Sequence, residues 1–184
     1  MPAPVNTASG VTIGIGYDCG QYTPGRIRLD WQSVLQLNMV NALASTAGLK
    51  KQAAVNSLPS VRNVDVPIEA ALQVFYNTTI FKFAKKAERM YPYRFKLHPV
   101  EQAVITGLVC NRSDSLDGDR RREMKQLIMA IKSDNDKAIT DLIRCMRRLW
   151  PDTPGLRRRR EAEAALIELA DIPVPETDIL KIVV

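Results

Sequence analysis

The stretch Gly10-Val11-Thr12-Ile13-Gly14-Ile15-Gly16-Tyr17-Asp18 alternates β-branched residues with glycine or polar residues. This alternation favours a short strand over a helix, because β-branched side chains fit a pleated surface. Thr23-Pro24-Gly25 then predicts a turn, and residues 26–29 a second short strand. We therefore expect a small β-lobe over residues 1–29.

From residue 30 onward the apolar residues recur with a helical period. Asp30 is expected to cap a helix over 31–47, and Pro99 to open the most buried helix. The apolar face expected for that buried helix is Val100, Ala103, Val104, Gly107, Leu108 and Cys110. The predicted fold class is α+β, mainly α. The expected organisation is a single domain over 1–184, with a β-lobe over 1–29, a helical lobe over 30–170 and an extended tail over 171–184.

Composition places the chain among globular proteins, with 46% hydrophobic and 25% charged residues. The net charge of +6 is compatible with nucleic acid, an anionic membrane or an anionic cell-wall polymer as partner. No apolar run approaches the roughly 18–20 residues that span a bilayer, so we expect no membrane insertion. The first residues, Met1-Pro2-Ala3-Pro4-Val5, lack the features of a signal peptide, so we expect synthesis in the cytoplasm without one.

The residues that commonly bind metals or cofactors are few and widely spaced. Cys19, Cys110 and Cys145 fit neither a disulfide framework nor a zinc site, and His98 is the single histidine. Cys110 and Cys145 are expected to be small core residues on helices. The glycine-rich stretch lacks the Gly-Lys-Ser/Thr ending of a phosphate-binding loop. We therefore expect no metal and no cofactor.

Thr12 and Asp18 are the first candidate site residues. In a continuous strand they would face the same way, and Gly14 and Gly16 would leave the positions between them without side chains. A polymer such as a glycan would then approach the backbone closely, beside a hydroxyl and a carboxylate. The alternative left open by these residues is a hairpin in which Asp18 caps a turn.

The stretch 10–18 closely resembles the active-site strand of phage-type lysozymes, in the branch that includes the bacteriocin pesticin. Supporting similarities follow in the family's order as far as about residue 169. They are the end of the central helix (108–112), the start of the next helix (118–124), a late tryptophan (Trp150) and an Arg-rich helix (155–162). The resemblance implies a lysozyme-like fold and a muramidase, which hydrolyses the β-1,4 bond between N-acetylmuramic acid and N-acetylglucosamine.

Matched residue by residue, the resemblance gives Thr12 and Asp18 the roles of holding and activating the attacking water. It implies that either Arg157 or Arg158 faces the active-site carboxylates. The complete set expected to bind substrate is Gly14, Gly16, Tyr17, Asn111, Arg157 and Arg158.

The general acid is where the sequence departs from that family. The family uses a glutamate on a helix upstream of the strand, whereas the nine residues before Gly10 contain no acidic residue. The first glutamate is Glu69, and Glu69, Glu101 and Glu161 are the candidate substitutes. We therefore expect the family's N-terminal helix to be missing, and self-association or a partner protein to supply it.

Three functions remain open at this point. The first is a bacteriolytic muramidase that acts on peptidoglycan in the periplasm or after secretion, with an immunity or inhibitor protein as a further partner class. The second is a lysozyme-like protein that binds glycan or a partner without cutting. The third is nucleic-acid binding by the basic helices, which the low aromatic content of 6% disfavours, so no nucleic-acid partner is expected.

Overall fold

The structure, a computed structural model, describes residues 9–183. The chain forms two compact units that divide between Phe81 and Lys82. The described residues are mainly helical and contain a small two-stranded sheet, which confirms the predicted α+β, mainly α class.

The first unit begins with a hairpin of two short antiparallel strands, β1 (Thr12–Ile13) and β2 (Tyr17–Asp18). Its helices are α1 (Pro24–Trp31), α2 (Leu37–Ala44), α3 (Lys51–Val61) and α4 (Ile68–Val74), and a π-helical turn (Phe75–Thr79) follows α4. A buried cluster joins the hairpin to the helices through Tyr17, Cys19, Ile27, Trp31, Val40, Leu43, Ala44 and Val74. This unit therefore has its own apolar core.

Helix α1 occupies the residues where a second strand was expected, so that expectation is wrong. The Thr23 side chain accepts a hydrogen bond from the Arg26 N–H, and Pro24 stands at the first helical position, which is a favourable helix start. Asp30 lies inside α1 rather than at the start of a long helix, and it pairs with Arg26 one turn earlier. The expected helix over 31–47 is replaced by the end of α1, a loop and α2. The expected boundary between the lobes, after residue 29, lies within α1.

The second unit is a set of helices around a larger core. They are α5 (Ile80–Met90, which begins two residues before the division), α6 (Pro99–Arg112), α7 (Arg122–Lys132), α8 (Asp136–Cys145) and α9 (Pro154–Glu168). Helix α8 packs on α7 and α9, and α9 also packs on α6. Residues buried at the centre include Ile105, Leu108, Met124, Leu127, Ile139, Ile143 and Met146.

Helix α6 was expected to be strongly buried, and its buried face differs from the predicted one. The buried residues are Glu101, Val104, Ile105, Thr106, Leu108, Val109 and Arg112. The buried face includes the two charged residues Glu101 and Arg112, so it is rotated relative to the predicted apolar face. As a result, Ala103 and Cys110 are exposed. Cys145 is also exposed, so the expectation that Cys110 and Cys145 are core residues is wrong.

The tail after α9 is largely irregular, with a single short 3-10 turn at Glu176–Asp178 in residues 171–183. No helix in residues 9–183 is both long and apolar enough to cross a membrane. Within the same residues, no group of three or more histidine, cysteine or acidic side chains is placed to hold a metal ion.

Candidate active site

The hairpin places Thr12 and Asp18 directly opposite each other as cross-strand partners, with Ile13 opposite Tyr17. The expectation of one continuous strand is wrong, because the chain turns back at residues 14–16. Gly14 and Gly16 make this turn with φ values of +50° and +73°, in the left-handed region that side chains disfavour. Paired positions share a face, with Cβ atoms about 4.5–5.5 Å apart, so the hydroxyl and the carboxylate still lie together.

The Asp18 carboxylate is oriented by the backbone around it. Its Oδ1 accepts hydrogen bonds from the N–H groups of Gly10 and Gly20, each at 2.9 Å. Its Oδ2 accepts from the side-chain amide of Gln21 at 3.3 Å. Asp18 thereby caps the short 3-10 helix Cys19–Gln21, which is the capping role that the sequence had left as an alternative.

The Thr12 side of the hairpin is open. Thr12 is exposed, and its hydroxyl donates a long bond of 3.4 Å to the Gly10 carbonyl. No atom of residues 9–183, apart from Gly16 and its chain neighbours, lies within 4 Å of the place where a Cβ of Gly16 would stand. Asp18 is partly exposed. Thr12 is therefore accessible and Asp18 partly accessible on the face that the paired positions share.

Tyr17, expected to bind substrate, is instead a core residue with 1% exposure. Its ring stacks on Tyr22 and meets Trp31 edge to face, and its hydroxyl donates to Asp30 Oδ2 at 2.8 Å. Burial, together with the hydrogen bond to Asp30, raises the pKa of Tyr17 well above its usual range. Tyr17 therefore holds β2 in place rather than presenting its ring to a ligand.

In the second unit, the arginine run of α9 divides into exposed and anchored residues. Arg157 and Arg158, the arginines expected to be functional, are exposed. Arg159 donates to Glu163 at 2.9 Å and to the Gly107 carbonyl on α6 at 3.3 Å. Arg160 is fully buried, and donates to Glu163 at 2.8 Å and to Asn111 Oδ1 at 3.4 Å.

Asn111 is therefore joined to Arg160, and not to the two arginines named from the sequence. Because residues 157–160 are all arginines, the sequence does not indicate which of them is buried. Helical spacing does not distinguish them, because each of the four arginines has a glutamate, Glu161 or Glu163, three or four positions later. The sequence also did not predict that the N–H groups of Gly10 and Gly20 bind Asp18, because every residue except proline has a backbone N–H and the sequence does not distinguish among them.

The three glutamates considered as proton donors occupy different environments. Glu101 is buried, and accepts a hydrogen bond from the His98 N–H at 3.0 Å as part of a capping box. Burial, with Asp136 and Asp134 nearby, raises the pKa of Glu101. Glu161 pairs with Arg144 and Arg147, each at 2.8 Å. Glu69 is exposed in the first turn of α4, in the same unit as Asp18.

Comparison of the chain with protein-family models, with curated proteins and with solved structures gives no match. The resemblance of residues 10–18 to a lysozyme strand therefore stays an expectation. The geometry of the hairpin is the observation from which a function is inferred.

Proposed function

We propose that the chain is a peptidoglycan hydrolase of the muramidase type with a lysozyme-like fold, which cleaves the β-1,4 bond between N-acetylmuramic acid and N-acetylglucosamine. The observation that carries this proposal is the pairing of Thr12 with Asp18 across the hairpin. Peptidoglycan is the polymeric substrate, reached in the periplasm or after secretion. An immunity or inhibitor protein is the partner class that accompanies such a bacteriolytic activity.

Asp18 has the features of the residue that activates water. Two backbone N–H groups fix one carboxylate oxygen, and in the described part of the chain the other oxygen accepts a single hydrogen bond, from the Gln21 amide at 3.3 Å. Such an oxygen can accept a proton from a water molecule, while the Thr12 hydroxyl orients that water by a second hydrogen bond. The turn at Gly16 leaves room for a sugar ring above the hairpin.

Hydrolysis of the glycosidic bond also requires a carboxylic acid that protonates the leaving oxygen. Of the three candidates, Glu101 caps a helix and Glu161 neutralises two arginines. Glu69 is the exposed one, and its helix α4 lies against the hairpin, since a Cβ at Gly14 would stand 3.1 Å from the Ala71 Cβ. Substitution of Glu69 therefore tests for a donor within the first unit. A glutamate supplied by a second copy or a partner protein is the other source in this proposal.

A second candidate function is glycan binding without cleavage. It is favoured by the capping role of Asp18, since a carboxylate that closes a 3-10 helix has a structural reason to be present. The open face beside Gly16 suits a sugar in either case. The two functions differ in whether new reducing ends appear when the protein meets peptidoglycan.

The test is incubation of the purified chain with peptidoglycan sacculi, followed by measurement of reducing ends and of the sedimented protein. A muramidase releases fragments whose reducing end is N-acetylmuramic acid. We expect Asp18→Asn to lower the rate of this release by at least about 100-fold, and Thr12→Val to lower it by at least about 10-fold. Asp65→Asn, a change at an exposed aspartate of the same unit, is the matched control and keeps full activity.

Sedimentation with sacculi but no reducing ends, unaffected by Asp18→Asn, would support binding without cleavage and reject the enzyme. Loss of activity in Glu69→Gln, with folding intact, would identify Glu69 as the proton donor. Full activity in both Glu69→Gln and Glu101→Gln would place the donor outside these two residues.

A further inference from the structure

Two buried arginines of the second unit lie against the same aromatic ring. The guanidinium carbons of Arg112 on α6 and Arg160 on α9 stand 5.0 Å and 5.8 Å from the centroid of Trp150. Arg112 is 7% exposed and Arg160 is fully buried. Such contacts stabilise a cation through the negative face of the ring. We call Arg112, Arg120, Arg121, Arg160 and Trp150 the Trp150 cluster.

The two arginines differ in how their charge is balanced. Arg160 has Glu163 as a partner at 2.8 Å. Arg112 forms no ion pair with any carboxylate in residues 9–183, and its one hydrogen bond goes from Nη2 to the carbonyl of Arg120. Within residues 9–183 its buried Nε has no hydrogen-bond partner, and neither do Nε and Nη1 of Arg160. A guanidinium presents five N–H donors, so several remain unmet at the centre of the cluster.

The electrostatic surroundings of Arg112 add to this imbalance. Burial, followed by the positive charges of Arg121, Arg120 and Arg160, lowers the pKa of Arg112 to about 10. Glu123 acts in the opposite direction, but its carboxylate is already engaged by Arg148 at 2.6 Å and Arg122 at 3.2 Å. A buried charge without a counter-charge is costly, so a group that supplies negative charge here would be bound favourably.

The rim of the cluster is open to an incoming group. Asn111 and Arg120 are exposed, and Trp150 and Arg121 are partly exposed. The side chains of Arg120 and Arg121 are therefore accessible to a small ligand, and their charges act on Arg112. The planar fork of a guanidinium matches the two oxygens of a carboxylate or of a phosphate, which sets the chemistry of the ligand.

We propose that Arg112, Arg120 and Arg121, beside Trp150, form a binding site for an anionic oxygen group, a phosphate or a carboxylate. The site lies wholly in the second unit. It does not depend on hydrolysis at the hairpin. Its ligand supplies the counter-charge that residues 9–183 do not give to Arg112.

The test is titration of the full chain with sodium phosphate at constant ionic strength, with sodium chloride as the compensating salt. Trp150 fluorescence reports the binding, and Trp31, buried in the first unit, adds a constant signal. We expect a saturable change that Trp150→Phe abolishes. A phosphate concentration of about ten times the Kd should raise Tm by roughly 3–6 °C. A parallel titration with sodium acetate shows whether a carboxylate binds in place of phosphate.

Arg120→Gln is the main variant, because this side chain is exposed and its backbone carbonyl, which contacts Arg112, is retained. It should weaken phosphate binding by about 3- to 10-fold. Arg112→Lys keeps the charge but loses the fork, and should weaken binding more than Arg120→Gln does. Lys125→Gln removes an exposed charge from α7 and is the matched control, with unchanged binding.

A linear fluorescence response to both phosphate and acetate, or an equal Kd in Arg120→Gln and Lys125→Gln, would overturn the proposal. It would mean that contact with Trp150 alone stabilises Arg112. If Arg112→Lys fails to fold, the comparison of Arg120→Gln with Lys125→Gln still decides the outcome.

Discussion

The Tyr17 hydroxyl donates a hydrogen bond of 2.8 Å to Asp30 Oδ2, which joins the second strand of the hairpin to helix α1. Arg26 binds the same carboxylate through Nε at 3.0 Å and Nη2 at 2.9 Å. A tyrosine at the edge of the candidate site is therefore part of a hydrogen-bond network in which Tyr17 and Asp30 are buried and Arg26 is exposed. The position of Asp18, the next residue in the chain, depends on that network.

Tyr17→Phe removes this hydrogen bond and leaves the ring packing in place. We expect a loss of roughly 1.5–3 kcal/mol in the free energy of unfolding, because the bond is made to a charged acceptor. The measurement is urea unfolding followed by Trp31 fluorescence in a Trp150→Phe background. Tyr76→Phe, at a tyrosine that is 47% exposed, is the control and should change the free energy by less than about 0.5 kcal/mol. Equal effects of the two changes would contradict the role given to Tyr17.

Alanine at Gly14 and alanine at Gly16 form a matched pair. Both glycines have positive φ, so each substitution should cost about 1 kcal/mol or more in backbone strain. At Gly14 the new Cβ would also stand 3.1 Å from the Ala71 Cβ and 3.3 Å from the Trp31 ring, whereas the space at Gly16 is open. We expect Gly14→Ala to be the more destabilising in urea unfolding. An equal loss in the free energy of unfolding for the two variants would show that α4 can move away from the new Cβ at residue 14 at no energetic cost.

Local signals in the sequence account for part of this structure. Extended backbone at the start of the stretch 10–18 was predicted correctly, and Gly14 and Gly16 already carried the signal for the turn between the strands. The Thr23-Pro24 pair is a helix start that was interpreted as a turn. The continuous strand and the second strand were therefore predicted wrongly although the residues that determine the observed turn and helix start lie in the same short segments.

Contacts between distant segments account for what the sequence did not reveal. The burial of Arg112 follows from its contact with Trp150, 38 positions later in the chain. A periodicity based on apolar residues assigns such an arginine to the surface, so the face of α6 was predicted with the wrong rotation. For the same reason, apolar periodicity does not distinguish Arg158, which is exposed, from Arg160, which is fully buried.

Glu101 should make stability depend on pH in the opposite direction from an ordinary paired carboxylate. Burial raises its pKa in the folded state, so the folded chain binds more protons than the unfolded chain between the two pKa values. Its contribution is therefore present below the unfolded pKa of about 4.3 and is lost as pH rises through the folded pKa.

Glu101→Gln removes this titration and keeps an oxygen that accepts from the His98 N–H. We expect the variant to gain stability relative to the wild type as pH rises from 4 to 7, measured as the difference in Tm between the two proteins. Glu69→Gln, at an exposed glutamate, is the control for the replacement of a glutamate by glutamine. A difference in Tm for Glu101→Gln that does not change with pH would contradict the raised pKa of Glu101.

Arg148 and Arg144 offer a comparison between a buried and an exposed carboxylate partner. Arg148 binds Glu123, which is 1% exposed, through Nε at 2.6 Å and Nη2 at 3.2 Å. Arg144 binds Glu168 through two bonds of 2.6 Å and 2.8 Å, and the side chain of Glu168 is 50% exposed.

We expect Arg148→Gln to lower Tm by several degrees, because Arg122 is then the one ion-pair partner that residues 9–183 give to the buried Glu123 carboxylate. Arg144→Gln should lower Tm by roughly one or two degrees, because water replaces the lost partner of Glu168 and of Glu161, whose side chains are 50% and 44% exposed. The double variant Arg148→Gln with Glu123→Gln should recover part of the loss, since it removes the uncompensated charge. The Arg122–Glu123 contact makes that recovery incomplete. Thermal unfolding followed by Trp150 fluorescence gives the Tm of all three variants. An equal decrease in Tm for the two single variants would show that burial of Glu123 does not set the strength of its ion pair.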